Sequence, residues 1–228
     1  MIIKKFLNYF LNIIFPINCL ICNKGDKYLC NDCFKKIPIL DLKYNNINYL
    51  DDIFIATSYK NKIINNLLIY FKYKHIKEFG LYLGNFISLY FNGKISSLYF
   101  SNTKEYNNLC SSFLTYIPSR KIDKRKRGYC PSEILMIQVA KNSNFVCLDA
   151  LKINKKKKRQ AGLNKRKRIQ NMKNSFQIKN KEIKKVIQYK NIILVDDVIS
   201  TGSTIYQAAK TLKDNGAKKV YALILSKN

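Results

Sequence analysis

The sequence predicts an α/β fold, with a parallel sheet flanked by helices and a small cysteine-rich module at the amino end. Three observations predict it. Residues 191–195 form a continuous apolar strand, 204–215 a helical pattern closed by Gly216, and 220–225 a second apolar strand, the order of a right-handed βαβ unit. Residues 53–59 read as an earlier strand, followed at 62–91 by helical spacing with Ile63, Ile64, Leu67, Leu68 and Phe71 on one face. Four of the seven cysteines fall in the pattern Cys19-x-x-Cys22 and Cys30-x-x-Cys33.

From the amino end, residues 1–17 carry Lys4 and Lys5 before an apolar run, as a secretion signal does. Asn8 and Asn12 interrupt that run, it is shorter than the ~20 residues of a membrane span, and no small-residue cleavage site follows. Phe6, Leu7, Phe10, Leu11, Ile14 and Phe15 instead repeat at helical spacing and predict an amphipathic helix. The reading is a protein without a transmembrane segment and cytoplasmic in location, with attachment to a membrane surface through that helix left open.

Each C-x-x-C turn brings two thiolates to one side of a metal, and two such turns close a tetrahedron of soft sulfur ligands. Cys19, Cys22, Cys30 and Cys33 therefore predict a structural zinc site with no open position for substrate. Two disulfides are the alternative in an exported chain. Cys110, Cys130 and Cys147 have no ligand spacing, and His75, the only histidine, reads as part of a solvated helix face.

The expected division is 1–40 for the amphipathic helix and zinc module, and 41–228 for the α/β domain, with a basic flexible loop over 120–176. Gly80 and Gly84 are candidate breaks in the first helical stretch, 113–118 a buried strand stopped by Pro118, and 133–141 a helix packing Ile134, Leu135, Ile137 and Val139 inward, preceded by a basic loop. Residues 152–168 are nearly saturated with cations and should repel one another when no anion is bound. The whole chain has 42 Lys and Arg against 14 Asp and Glu, a net charge of +28. Such an excess suits a polyanion such as nucleic acid. Abundant Lys, Asn, Ile and Tyr also mark an A/T-rich coding sequence, and the two origins stay open.

The most informative stretch is 192–204, where an apolar strand meets Asp196 and Asp197 and a small, hydroxyl-rich turn opens a helix. Free amides at a helix start, with the positive end of its dipole, suit a phosphate dianion, and Gly202 admits close approach. Ser200, Thr201, Ser203 and Thr204 add hydroxyl donors. The two carboxylates can accept hydrogen bonds from ribose hydroxyls and help to hold Mg²⁺ through water.

All thirteen residues resemble the phosphoribosyl-diphosphate loop of the phosphoribosyltransferases. Joined to the cysteine knuckles, Phe15-Pro16, Arg127-Gly128-Tyr129, and the set Gln160, Leu163, Arg168, Asn171 and Phe176, the pattern resembles the ComF family, competence protein F and its relatives, over nearly the whole chain. The resemblance implies a type I phosphoribosyltransferase-like fold that takes phosphoribosyl diphosphate, or a related ribose phosphate, with Mg²⁺. Arg127, Arg159 and Arg168 would then clamp anions as part of a lid. It also implies a role in DNA uptake, with single-stranded DNA, competence proteins or a helicase as partners. The alternative is an active phosphoribosyltransferase (a glycosyltransferase) of nucleotide metabolism; the resemblance assigns neither an acceptor nor a catalytic residue. Cys130-Pro131 stands where the family has Asn-Gln, and Ser200 where purine-salvage relatives have an acid.

Overall fold

Strand β1 (Asp52–Ser58) is buried on both faces at its centre, and its apolar run pairs with a strand from the far end of the chain rather than with a neighbour in sequence. The computed structural model describes residues 17–101, 103–154 and 175–228. Around β1 are arranged α1 (Asn31–Lys35), α2 (Lys62–Tyr73), α3 (Phe79–Phe100), α4 (Lys104–Cys110), β2 (Phe113–Tyr116), α5 (Lys121–Arg127), α6 (Pro131–Ser143), β3 (Val146–Cys147), β4 (Leu151–Ile153), β5 (Phe176–Ile178), α7 (Lys181–Ile187), β6 (Asn191–Ile199), α8 (Ser203–Asp214) and β7 (Lys219–Lys227). Five strands form one parallel sheet in the order β1-β7-β6-β2-β3. β4 and β5 make a separate antiparallel pair.

The alternation of strand side chains divides the core into two layers. Ile193 and Val195 of β6, with Tyr221, Leu223 and Leu225 of β7, face α2, α3, α6 and the cysteine module. Ile192 and Leu194, with Val220, Ala222 and Ile224, face α7, α8 and the small sheet. Helices on both faces explain why 192–195 of β6 and 220–225 of β7 are apolar at every position rather than at every second one.

Helix α2 begins at Asn61, whose Oδ1 accepts hydrogen bonds from the amides of Ile63 at 3.0 Å and Ile64 at 3.1 Å. It buries Ile64, Leu67, Leu68 and Phe71, as the spacing predicts. The helical stretch does not break at Gly80 or Gly84. It breaks just before α3, where His75 sits exposed at φ +61° in the connection rather than on a helix face. The two glycines lie within α3 on one ridge against α6. A Cβ on Gly80 would stand 2.7 Å from Ile134 Cγ2, and one on Gly84 2.5 Å from Gln138 Cβ. Two helices meeting this closely need glycine for contact, not for flexibility.

The stretch 120–176, in which the sequence predicts a helix over 133–141 with basic loop around it, holds α5, α6, β3 and β4 along its described residues. Its cations at 121–127 are helical, and Gly128 closes that helix at φ +80°. In α6, Leu135, Met136 and Val139 are buried, while Ile137, expected inside, is exposed. Residues 1–16 with the expected amphipathic helix, and 155–174 with Arg159, Gln160, Leu163, Arg168 and Asn171, lie outside the described residues. Among the described residues no helix is long and apolar enough to cross a membrane.

Candidate functional site

The carboxyl edge of the parallel sheet gathers the residues singled out in the sequence. β6 does not stop before its acids. It runs through Asp196 and Asp197 to Ile199, because β7 continues to pair with it as far as Val198↔Ser226 and Ile199↔Lys227. Both carboxylates are therefore buried, where an open strand tip was expected. Asp196 Oδ1 accepts from Ser132 Oγ at 2.7 Å and from the Asp197 amide at 2.9 Å. Asp197 continues the row of Ile193 and Val195 on the face covered by α2, and its Oδ1 receives Lys72 Nζ at 2.8 Å.

Burial, reinforced by the Asp197 charge, pushes the Asp196 carboxyl up to about 7 against the pull of Ser132 and Lys72. Burial also works against the Lys72 ammonium, but the charge and hydrogen bond of Asp197 outweigh it and hold the proton more firmly than usual. Neither Lys72 nor Ser132 stands out in the sequence. The signal available was small, one of several lysines within a predicted helical stretch and a serine after a proline, and only tertiary packing brings them to the acids.

Beyond β6 the chain turns through Ser200 and Thr201 and enters α8 at Gly202, which lies at φ +71°. No hydrogen bond within the described residues engages the amides of Thr201, Gly202, Ser203 and Thr204, so the first turn of α8 presents unspent donors. Thr201 Oγ1 and Ser203 Oγ lie 2.6 Å apart. Residues 44–47 of the connector cross this turn. Tyr44 Oη donates to the Ser200 carbonyl at 2.6 Å, and Ile47 Cδ1 would stand 2.6 Å from any Cβ at position 202. A cavity of about 420 Å³ is lined by Ile47 with Tyr44, Asn45, Asn46, Ser200, Thr201 and Lys227. A second of about 420 Å³ is lined by Ile47 with Asn46, Asn48, Thr201, Gly202, Ser203, Tyr206 and Gln207.

The Arg127-Gly128-Tyr129 motif joins α5 to α6. Tyr129 stacks on Phe71 with ring centroids 5.3 Å apart and donates its hydroxyl proton to the Phe71 carbonyl, which ties the motif to the turn carrying Lys72. Arg127 lies over the Tyr73 ring at 5.9 Å and lines neither cavity at the α8 turn. Cys130 is buried with its Sγ 3.2 Å from Ser119 Oγ and 3.6 Å from the Ile117 carbonyl, and burial pushes its thiol up. Pro131 occupies the first turn of α6, where its missing amide costs nothing. The pair that departs from the family pattern thus fills the core and sets Ser132 against Asp196.

The cysteine knuckles form a separate centre. The sulfurs of Cys19, Cys22, Cys30 and Cys33 all lie within 4.8 Å of one another, with Cys22 and Cys30 at 3.6 Å. Zinc–sulfur bonds of about 2.3 Å in a tetrahedron place sulfurs about 3.8 Å apart, so this set fits a closed four-thiolate zinc site. Burial opposes the Cys19 thiolate, but hydrogen bonds from the backbone at Cys30, Cys22 and Ile21 outweigh it and bring the thiol to about 6. Burial and the other three thiols push Cys33 up to about 12. A divalent cation would remove that conflict by favouring all four thiolates. The module packs on α3 through Tyr28 against Phe79 and Phe34 against Phe86.

Comparison with known proteins agrees with the α/β part of the architecture. Residues 126–228 match the phosphoribosyl transferase domain family. Competence protein F of Haemophilus influenzae is 32% identical over 110 residues, which cover 46% of this chain and 45% of that protein. Amidophosphoribosyltransferase of Staphylococcus aureus strain Mu50 is 49% identical over 49 residues, 22% of this chain and 10% of that enzyme. Ribose-phosphate pyrophosphokinase 2 of Schizosaccharomyces pombe is 58% identical over 38 residues, 17% of this chain and 12% of that protein. The matched stretches span less than half the length of each of these relatives.

Proposed function

We propose that this homologue of competence protein F, whose carboxyl-terminal part is a phosphoribosyltransferase domain, binds phosphoribosyl diphosphate together with Mg²⁺ at the turn between β6 and α8. One observation carries the reading: the unspent amides of residues 201–204 open beside two cavities, at the end of the strand that carries two buried acids. Those amides and the hydroxyls of Ser200, Thr201, Ser203 and Thr204 would hold the 5-phosphate, and Gly202 keeps the main chain accessible. Asp196 and Asp197 would accept from the ribose hydroxyls and hold Mg²⁺ through water. Bound there, Mg²⁺ would neutralise the diphosphate. The four cysteines would carry a structural zinc ion remote from this chemistry.

The same fold serves two readings of purpose. A role in DNA uptake, with single-stranded DNA and other competence proteins as partners, is supported by the homology and by the surplus of positive charge, which among the described residues includes the exposed cations of α5 and a stacked Arg127 and Tyr73. A transferase acting in nucleotide metabolism needs an acceptor, and pyrophosphate release from a panel of acceptors tests it. The primary test is calorimetric titration of the full chain with phosphoribosyl diphosphate and Mg²⁺. Saturable binding is expected, weakened at least about tenfold in the Asp196→Asn, Asp197→Asn double variant. No heat of binding to the wild-type protein overturns the reading.

A further inference from the structure

Lys72 is a buried cation with a single anionic partner beside a cluster that carries two acids. Its side chain is 17% exposed and that of Asp197 11%, and the 2.8 Å contact is the least exposed ion pair among those of the described residues. Taking an ammonium out of water is expensive, and a buried pair often stabilises a fold no better than apolar residues would. A lysine in this place needs another reason. The helix that carries it ends here, the backbone after it turns away at His75, and Tyr129 pins the preceding turn through the Phe71 carbonyl. The stem of Lys72 is therefore fixed while its ammonium is free to choose among anions within reach. Asp196 already has two hydrogen-bond donors, Ser132 and the Asp197 amide. Asp197 has only Lys72 as a side-chain donor among the described residues.

We infer that Lys72 is a positioning residue of the ribose-phosphate site, acting as an exchangeable counter-ion. Without ligand its ammonium holds Asp197. When ribose hydroxyls and the hydrated cation take that carboxylate, the ammonium moves to the diphosphate of the ligand. The inference rests on the reading of the β6–α8 turn as a phosphoribosyl-diphosphate site and extends it to a residue outside that turn. Its consequence is selectivity: Lys72 should matter for a ligand with a diphosphate and matter little for one with only a 5-phosphate.

Lys72→Gln is the variant of choice, since a glutamine still donates a hydrogen bond to Asp197 but brings no charge. Lys72→Arg restores the charge. Full-length wild type and both variants, matched by thermal melting, are titrated with phosphoribosyl diphosphate and with ribose 5-phosphate, each in Mg²⁺. In Lys72→Gln the affinity for phosphoribosyl diphosphate should fall by about tenfold or more, and that for ribose 5-phosphate by less than about threefold, as loss of one charge-assisted contact predicts. Lys72→Arg should recover most of the diphosphate affinity. Equal losses for both ligands, or none, overturn the exchange and leave Lys72 as a structural partner of Asp197. A wild-type protein that binds neither ligand overturns the site reading itself, and the role of Lys72 with it. Should Lys72→Gln fail to fold, Lys72→Met with the same two ligands carries the comparison, and a ratio of affinities in Lys72→Met unchanged from wild type overturns the proposal.

Discussion

A carboxylic acid that titrates near neutrality is the most consequential single residue of this chain. Asp196 would ionise near its usual value of 3.8 in the unfolded protein, and burial beside Asp197 raises it to about 7 in the fold. Between those values the folded state binds the extra proton, so stability falls as the pH rises from about 4 to about 7 and is flat above. Replacing Asp196 by Asn keeps an oxygen that can accept from Ser132 and from the Asp197 amide, and it removes the charge. In the absence of added Mg²⁺ and ribose phosphate, Asp196→Asn is expected to be more stable than wild type at pH 8, by on the order of 2 kcal/mol, and to lose that advantage at pH 4 to 5. Denaturant melts at the two pH values check it, and an advantage that grows on acidification contradicts the assigned burial. On the proposed reading, a residue that would meet the ligand is thus one that the empty fold holds at a cost, as sites that carry function tend to be.

Among the elements, α3 has the widest reach, since it carries the cysteine module on one side and α6 on the other. Its approach to α6 depends on Gly80 and Gly84. Alanine at an ordinary exposed helix position gains about 1 kcal/mol over glycine. At Gly84 a Cβ would meet Gln138 Cβ at 2.5 Å and Cγ at 2.6 Å, so Gly84→Ala should destabilise, by roughly 1–3 kcal/mol, through separation of the two helices. Thermal or denaturant melting of this single variant decides the sign. The zinc module is the second element with a clear dependence. Residues 17–37 have one short helix and few backbone bonds of their own, and Cys19, Leu29 and Cys33 enter the core beside Phe79 and Phe86. Metal binding would supply their folding energy, on the order of 10 kcal/mol in small zinc modules. The purified protein should hold one zinc equivalent, and stripping it with a chelator should expose Phe79 and Phe86 and increase binding of a hydrophobic dye. A protein that keeps its melting temperature and dye response after metal loss would show the module to be self-sufficient.

For the whole molecule the dominant property is charge. A net +28 on 228 residues places positive potential over much of the surface, and the described acids are largely consumed in local pairs such as Lys213 with Asp51 at 2.7 Å and Lys219 with Glu105 at 3.0 Å. If the surplus serves a nucleic acid, affinity for a single strand should fall by a factor of roughly 300 between about 50 and 200 mM salt for six phosphate contacts. Fluorescence anisotropy with a labelled oligonucleotide measures the slope. An affinity indifferent to salt, or absent at low salt, assigns the charge to coding bias instead. The sheet order β1-β7-β6-β2-β3 puts the β6–α8 turn in the middle of the edge, with β7 on one side and β2 on the other, so that α2, α6 and the 44–47 connector all reach it.

What the sequence determined by itself was whatever is encoded by residues close to one another in the chain. The β6–α8–β7 unit, the thiol tetrad and the hydroxyl-rich turn each need a short run with a local pattern, because strand alternation, helix periodicity and turn chemistry act over a few residues. The tertiary structure alone decided which distant side chains meet at the acids. Lys72 and Ser132 lie 125 and 64 positions from the carboxylates they touch, and no periodicity relates them. It also decided that Gly80 and Gly84 mark a contact and that β6 extends past its acids, since both depend on how closely a partner element approaches. Local preference names the elements, and close packing selects which of their side chains share a site.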